Sequence, residues 1–239
     1  MKTIGTPSTQ VRELNAVANG VLPNGKAVVV NADGTVSVVA ASGGSPALGT
    51  ATVFEASNSN QFGIAFDSVA KRIVISYRDN ANSGYGTAVI GQVSGTAITF
   101  GTPVVFESGP TENTASVFDS NSNKVVIGYL DKSNSDRGTA IVGTISGDSI
   151  SFGSATTFSA VNSSKITVVF DSNSNKVVFS YRVAYNTGYS SVGTVSGNSI
   201  SFGSAVGFNI GGGNIGSTSS VSSVFDSTNN KVVIAYRGP

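Results

Sequence analysis

The 239-residue chain has no histidine, no cysteine and no tryptophan, and a single methionine. Without histidine there is no Ser-His-Asp or Cys-His arrangement and no imidazole ligand for zinc. Without cysteine there is no disulfide frame and no thiolate site, so the redox compartment stays open. Charge is scarce too: Asp, Glu, Lys and Arg make up 11% of the residues, against about 25% in ordinary soluble domains. The formal net charge is +1, and the 14 basic residues are scattered rather than gathered into the surface that nucleic acid demands. No apolar run reaches the roughly 18 residues of a spanning helix. The start, MKTIGTPSTQ, has no hydrophobic stretch after its lysine, so no signal peptide, no membrane insertion and synthesis in a cytoplasm are expected.

What is present is a repeat. Phe-Asp-Ser begins at Phe66, Phe118, Phe170 and Phe225, at spacings of 52, 52 and 55 residues. A polar turn follows each, then a β-prone run: KRIVISYRD, NKVVIGYLD, NKVVFSYRV and NKVVIAYRG. A third segment reads GTAVIGQVSG, GTAIVGTISG and SSVGTVSG, and a fourth AITFGTPVVF, SISFGSATTF and SISFGSAVGF. Each unit is therefore expected to form four strands, A to D, joined by tight turns. Val125, Val126 and Ile127 run without a polar break, so strand B should be buried on both faces. Sheets packed face to face around an axis bury strands in this way, as in a β-propeller. Pro103 interrupts one strand D and belongs on a blade's outer edge.

The last unit stops after strand B, at Ala235-Tyr236-Arg237. The early stretch GKAVVVNADGTVSVVA, followed by ATVFEAS, reads as a C–D pair turning at Asn31-Ala32-Asp33-Gly34. The expected fold is thus an all-β propeller of four-stranded antiparallel blades. Four blades are expected, the closing one shared by N- and C-terminal strands; the alternative is five, with residues 1–50 as a blade of their own. Residues 1–22 are taken as an N-terminal extension and 23–239 as the propeller, in units near 23–57, 58–109, 110–160, 161–210 and 211–239.

Runs of the form VFDSxxNKVVIAYRDxxNSGYGTAxVGTVSGxSISFGTPVVF recur in tandem in tail-fibre-like and structural proteins of marine phages. Residues 61–237 resemble them, most clearly through RDNANSGYGTAV and SISFGSATTF, and LPNGKAVVVNADGTVSVV resembles segments upstream of such repeats. The resemblance implies association with a virion and carries over no catalytic residue.

Carboxylates are the acid–base groups left. Outside the repeat-wide pattern they are Asp79, Glu112, Asp131, Asp136 and Asp148, and glycosidic cleavage would need two of them facing each other, for example Asp79 with Glu112. No catalytic residue, cofactor or metal is expected. Asp119–Asn123 and Asp171–Asn175 have the oxygen spacing of a calcium loop, but the other copies read DSVAK and DSTNN. A hairpin turn held by Asp and Asn side chains is the simpler reading. Tyr77, Tyr129, Tyr181 and Tyr236 recur at one place in strand B, followed by Arg78, Leu130, Arg182 and Arg237. Recurrence in every blade points to packing between blades, with a pocket in each blade as the alternative.

The A–B and C–D turns are nearly uniform. The B–C segments (DNANSGYG, DKSNSDRG, VAYNTGYS) and D–A segments (ESGPTENTA, SAVNSSKIT, NIGGGNIGSTSS) differ from copy to copy. Variable loops on a rigid frame are where binding resides, although drift would look the same. Tyr85, Tyr185 and Tyr189 offer rings on which a sugar could stack, and Asp136 and Arg137 offer hydrogen bonds. The expected protein is a tail fibre, tail tip or capsid appendage that binds a host surface glycan or another virion protein, or forms a homo-oligomer in a particle. A structural spacer or decoration protein is the competing class, and a carbohydrate-cleaving enzyme the third.

Overall fold

The polar turn after each Phe-Asp-Ser is built the same way four times. The computed structural model describes residues 17–18, 28–30, 33, 35–38, 49–183, 187–208 and 221–237. In it Asp67 Oδ1 accepts the backbone N–H groups of Val69 and Ala70, both at 2.8 Å. Asp119 accepts from Asn121 and Ser122 at 2.9 and 3.1 Å, and Asp171 from Asn173 and Ser174 at 2.9 and 3.0 Å. Asp226 accepts from Thr228 and Asn229 at 2.9 and 3.1 Å. These loops are hairpin turns in which the aspartate supplies the acceptor that the turning backbone lacks.

The chain divides into two compact units, Met1–Leu48 and Gly49–Pro239; the sequence reading drew its boundary at residue 22. In the first unit β1 (Val17–Ala18), β2 (Val28–Val30) and β3 (Thr35–Val38) form a sheet with β3 in the middle, parallel to β1 and antiparallel to β2. Asp33 holds the β2–β3 turn by accepting from Thr35 N at 3.0 Å and Thr35 Oγ1 at 2.7 Å.

The second unit carries the repeats. Strand A is β4 (Ser59–Asp67), the later part of β8 (Val104–Asp119), the later part of β12 (Thr156–Asp171), and β17 (Val221–Asp226). Strand B is β5 (Arg72–Asp79), β9 (Lys124–Asp131), β13 (Lys176–Val183) and β18 (Lys231–Tyr236), and strand C is β6 (Tyr85–Ser94), β10 (Arg137–Ser146) and β14 (Thr187–Ser196). Strand D is split. Its first piece is β7 (Ala97–Phe100), β11 (Ser149–Phe152) or β15 (Ser199–Phe202), and its second is the early part of β8 or β12, or β16 (Val206–Gly207). Pro103 sits in the break between β7 and β8, where no ladder bond is required of it.

The D–A segments ESGPTENTA and SAVNSSKIT are not loops. They lie inside the unbroken 16-residue strands β8 and β12. Each of these strands pairs first with strand C of its own repeat and then, across register shifts, with strand B of the next. The ladder is continuous as a result: thirteen strands in one sheet, running β15-β14-β13-β12-β10-β9-β8-β6-β5-β4 with β7, β11 and β16 as side branches, and open at its ends. Among the described residues β17 and β18 pair only with each other. NIGGGNIGSTSS lies outside the described residues.

Consecutive repeats also touch face to face. β4 lies against β8, β8 against β12, and β12 against β17. Ser76 Oγ and Ser116 Oγ bond across one junction at 2.7 Å, and Thr167 Oγ1 and Ser223 Oγ across another at 3.0 Å. In the first three repeats strand B is buried on both faces, with Val125, Val126 and Ile127 all at 0% exposure, whereas β18 is largely exposed. A ring cluster recurs at each junction. Phe54 packs on Tyr77 and Phe100 (centroids 5.3 and 5.8 Å), Phe106 on Tyr129 and Phe152 (5.2 and 5.7 Å), and Phe158 on Tyr181 and Phe202 (5.0 and 5.7 Å). Phe208 repeats the first of these contacts with Tyr236 at 5.2 Å. A phenylalanine therefore anchors each following repeat: Phe106 and Phe158 from strand D, Phe208 just after β16, and Phe54 from ATVFEAS, which forms no strand here although one was expected. Each ring pair is worth about 0.5–1.5 kcal/mol beyond area burial. The recurring tyrosines serve packing between repeats.

Candidate binding site at the variable end of the strands

The uniform turns meet at one end of the strands, where Arg72 Nε pairs with Asp148 Oδ1 at 3.1 Å and Thr144 Oγ1 donates to Asn198 Oδ1 at 3.0 Å. The variable segments meet at the other. There Asn80 N donates to Asn58 O at 3.0 Å, Thr111 N to Gly84 O at 2.9 Å, and Ser163 N to Asp136 O at 2.9 Å.

Tyr85, Arg137 and Thr187 are equivalent residues, each opening strand C opposite the last residue of strand B. They occur once per repeat and do not converge. Asp136 is tied into its own loop, in an ion pair with Lys132 Nζ at 2.7 Å and a bond from Asn162 Nδ2 at 3.1 Å. The Asp136 bond holds the Lys132 ammonium above its ordinary range. Arg137 is exposed and, among the described residues, its side chain reaches Asn134 Oδ1 at 3.5 Å. Tyr185 lies outside the described residues.

The acids proposed as a facing pair are also spoken for. Asp79 accepts from Ala81 N and Asn82 N, both at 3.1 Å, as Asp131 does from Ser133 N at 3.0 Å and Asn134 N at 3.1 Å. Glu112 lies 3.6 Å from Arg78 Nη1 and 3.9 Å from Lys132 Nζ. Among the described residues no group of three or more acidic side chains could hold a metal ion.

Tyr189 is different. With Phe158, Ser159, Val161, Tyr181 and Val183 it lines a groove of about 430 Å³ between β12, β13 and β14. The same positions in the preceding repeat hold Thr139, Phe106, Glu107, Gly109, Tyr129 and Asp131. There Glu107 Oε2 accepts the Tyr129 hydroxyl at 3.0 Å, and Glu55 does the same for Tyr77 at 3.3 Å. Burial, reinforced by these carboxylates, pushes both hydroxyls far above the usual tyrosine range. In the third repeat a serine replaces the glutamate, and Tyr181 turns to Ser191 Oγ at 2.9 Å and Phe158 O at 3.4 Å. Burial raises the Tyr181 hydroxyl as well, against the opposing pull of its serine bonds. One copy has thus exchanged two carboxylates for Ser159 and Val183, and gained a ring at Tyr189.

No known family model matches the chain, and no curated protein matches it either. Of the groove, the sequence points to Tyr189 as a ligand-binding residue and to Tyr181 as one of the recurring tyrosines. Ser159, Val161 and Val183 do not stand out, although aligning the copies on Phe54, Phe106 and Phe158 sets them against Glu55 and Glu107, Ser57 and Gly109, and Asp79 and Asp131.

Proposed function

We propose that the chain is a four-bladed β-propeller that acts as a non-enzymatic, virion-associated binding module, taking a host-surface glycan in the Tyr189 groove. An open ladder is compatible with this architecture, because propeller blades meet by packing rather than by hydrogen-bonded closure. The two ends of the stack support it. On β4, Ile64 and Phe66 are 65% and 55% exposed, and on β17 and β18, Val224 and Val233 are 61% and 51% exposed. Joining these faces would bury both.

The observation that carries the binding assignment is the remodelled groove. An apolar wall with a tyrosine ring and a few hydroxyls suits the mixed faces of a pyranose. A single shallow site of this kind would bind near millimolar, about 4 kcal/mol, and adhesion would come from many copies on one particle. Glycan-array binding of the whole protein tests the reading. Tyr189→Ala, and Val183→Asp to restore the acid of the first two repeats, should abolish the signal while the protein stays folded. Alanine at Ser94, Asp148 and Asn198, on the opposite end, should leave it intact. Loss with the second set and not the first would reverse the assignment.

A structural spacer or decoration protein is the second reading, favoured by the same exposed apolar faces if they meet a neighbouring chain instead of each other. A concentration-dependent mass in solution, with no glycan bound, would select it.

A further inference from the structure

Strand A of the first three repeats is kinked near its start, and the kinked residue takes a left-handed backbone: Gln61 at φ 59°, Asn113 at 51° and Lys165 at 53°. The register shifts fall at equivalent places, Asn60/Gly63, Glu112/Ala115 and Ser164/Thr167. Glycine takes this conformation freely, whereas a residue with a Cβ holds it at a steric cost. Three such residues in register point to a use for their side chains.

The three side chains meet in a recess of about 300 Å³ whose lining also includes Phe62, Ile166 and Val221, and no acidic residue. Their amide oxygens are already engaged. Gln61 Oε1 accepts the Asn113 N–H at 3.2 Å, and Asn113 Oδ1 accepts the Lys165 N–H at 3.1 Å. A backbone N–H can only donate, so these bonds fix which end of each amide faces the next repeat. The groups left for the recess are the –NH₂ of Gln61, the –NH₂ of Asn113 and the ammonium of Lys165, none with a partner among the described residues. Every one is a donor. The carboxylate of the adjacent Glu112 is already held by Arg78 and Lys132.

We infer that this recess is an oxyanion site, in which two amide –NH₂ groups and the Lys165 ammonium hold a carboxylate, sulfate or phosphate group by charge-assisted hydrogen bonds. It shares no lining residue with the Tyr189 groove, so it stands whether or not that groove takes a sugar.

The test is a titration of the whole protein, followed through its side-chain amide NMR signals. The probes are sodium glucuronate, sodium sulfate and sodium phosphate at fixed ionic strength, with glucose as the uncharged control. Saturable shifts of the Gln61 and Asn113 –NH₂ signals are expected with at least one anion and none with glucose, and the responding anion names the group. Asn113→Asp keeps the oxygen that accepts from Lys165 but turns the free donor into an acceptor, and Lys165→Met removes the charge. Each should weaken binding about tenfold or more, as a charge-assisted contact is lost, with the melting temperature unchanged. Absence of a saturable shift with all three anions, or binding that survives both substitutions, would overturn the assignment.

Discussion

Replacing a single glycine by alanine tests how consecutive repeats dock. Gly101 and Gly153 occupy equivalent places in strand D, with their N–H groups bonded to Ile90 O and Val142 O at 2.9 Å. Neither has the left-handed backbone that disfavours a side chain. What excludes a Cβ is the next repeat. At Gly101 it would lie 1.9 Å from the carbonyl oxygen of Asp148, and at Gly153 1.8 Å from that of Asn198. Contacts below 3.0 Å do not occur for real Cβ atoms, so the C–D turn of the following repeat must retreat by about 1 Å or more. Overpacking of this kind costs about 1–3 kcal/mol, and the loss of unfolded-state freedom at alanine returns about 0.4–1 kcal/mol. The net loss is about 1–2 kcal/mol, or roughly 2–8 °C in Tm for a chain of this size. Calorimetry or circular-dichroism melting of Gly101→Ala and Gly153→Ala measures it directly. Variants that melt at or above the parent temperature would refute the docking of these turns.

Gly203 is the informative fourth copy. Its N–H bonds Val192 O at 3.1 Å, as in the other copies, but the nearest atom to an added Cβ is that same oxygen at 4.0 Å. A ring closed by a fourth C–D turn predicts that Gly203→Ala loses stability like its counterparts. Should it melt at or above the parent while the other two fall, the stack is open and the proposed closure fails.

Asp119→Ala removes the acceptor of two turn N–H groups and should cost about 1 kcal/mol by analogy with capping residues, while melting curves with calcium and with chelator superimpose. A rise with calcium that Asp119→Ala and Asp171→Ala abolish would show a metal site instead. Tyr77, Tyr129 and Tyr181 have hydroxyls raised by burial, so their stabilising effect is complete below about pH 10 and is lost as pH rises further. Titration at 295 nm should show these three of the seven tyrosines ionising only as the protein unfolds, and ionisation of all seven in a still-folded chain would contradict it. At the acid end the Asp226 carboxyl is lowered by its Asn229 and Thr228 bonds, so its contribution is present above the ordinary aspartate range and disappears as pH falls through its depressed value. With no histidine, stability should be flat between these two limits.

The strands were legible because two independent signals agreed at each of them. Phe-Asp-Ser fixed the A–B turn, since aspartate is the residue that can accept two backbone N–H groups from a tight turn. The unbroken apolar runs Val125–Ile127 and Val177–Phe179 required cover on both faces, and the face-to-face contact of the repeats supplies it. The D–A connections were misjudged because Gly, Pro, Ser and Asn in ESGPTENTA read as loop. Gly109 and Pro110 instead pass through a β-strand, with Gly109 pressed so close to Ser133 that a Cβ would meet its Oγ at 2.3 Å. A local composition rule cannot anticipate a neighbour brought in from another part of the chain.

The sites were harder to read for a related reason. Variability between loops points to one end of the strands, but Tyr85 and Arg137 are single residues of separate repeats that do not converge. Function in a repeat protein is better sought by asking which copy departs from a shared internal bond. The Glu–Tyr bond is kept at Glu55–Tyr77 and Glu107–Tyr129 and abandoned at Ser159–Tyr181. Losing an acceptor for a buried hydroxyl costs about 1–3 kcal/mol unless a substitute is found, and Ser191 is that substitute. A copy that merely drifted would have to lose the glutamate, gain the serine and place Tyr189 beside the gap. The coordinated change is what separates the third repeat from the two before it, and it is why the Tyr189 groove, rather than the loop tips, carries the proposed binding assignment.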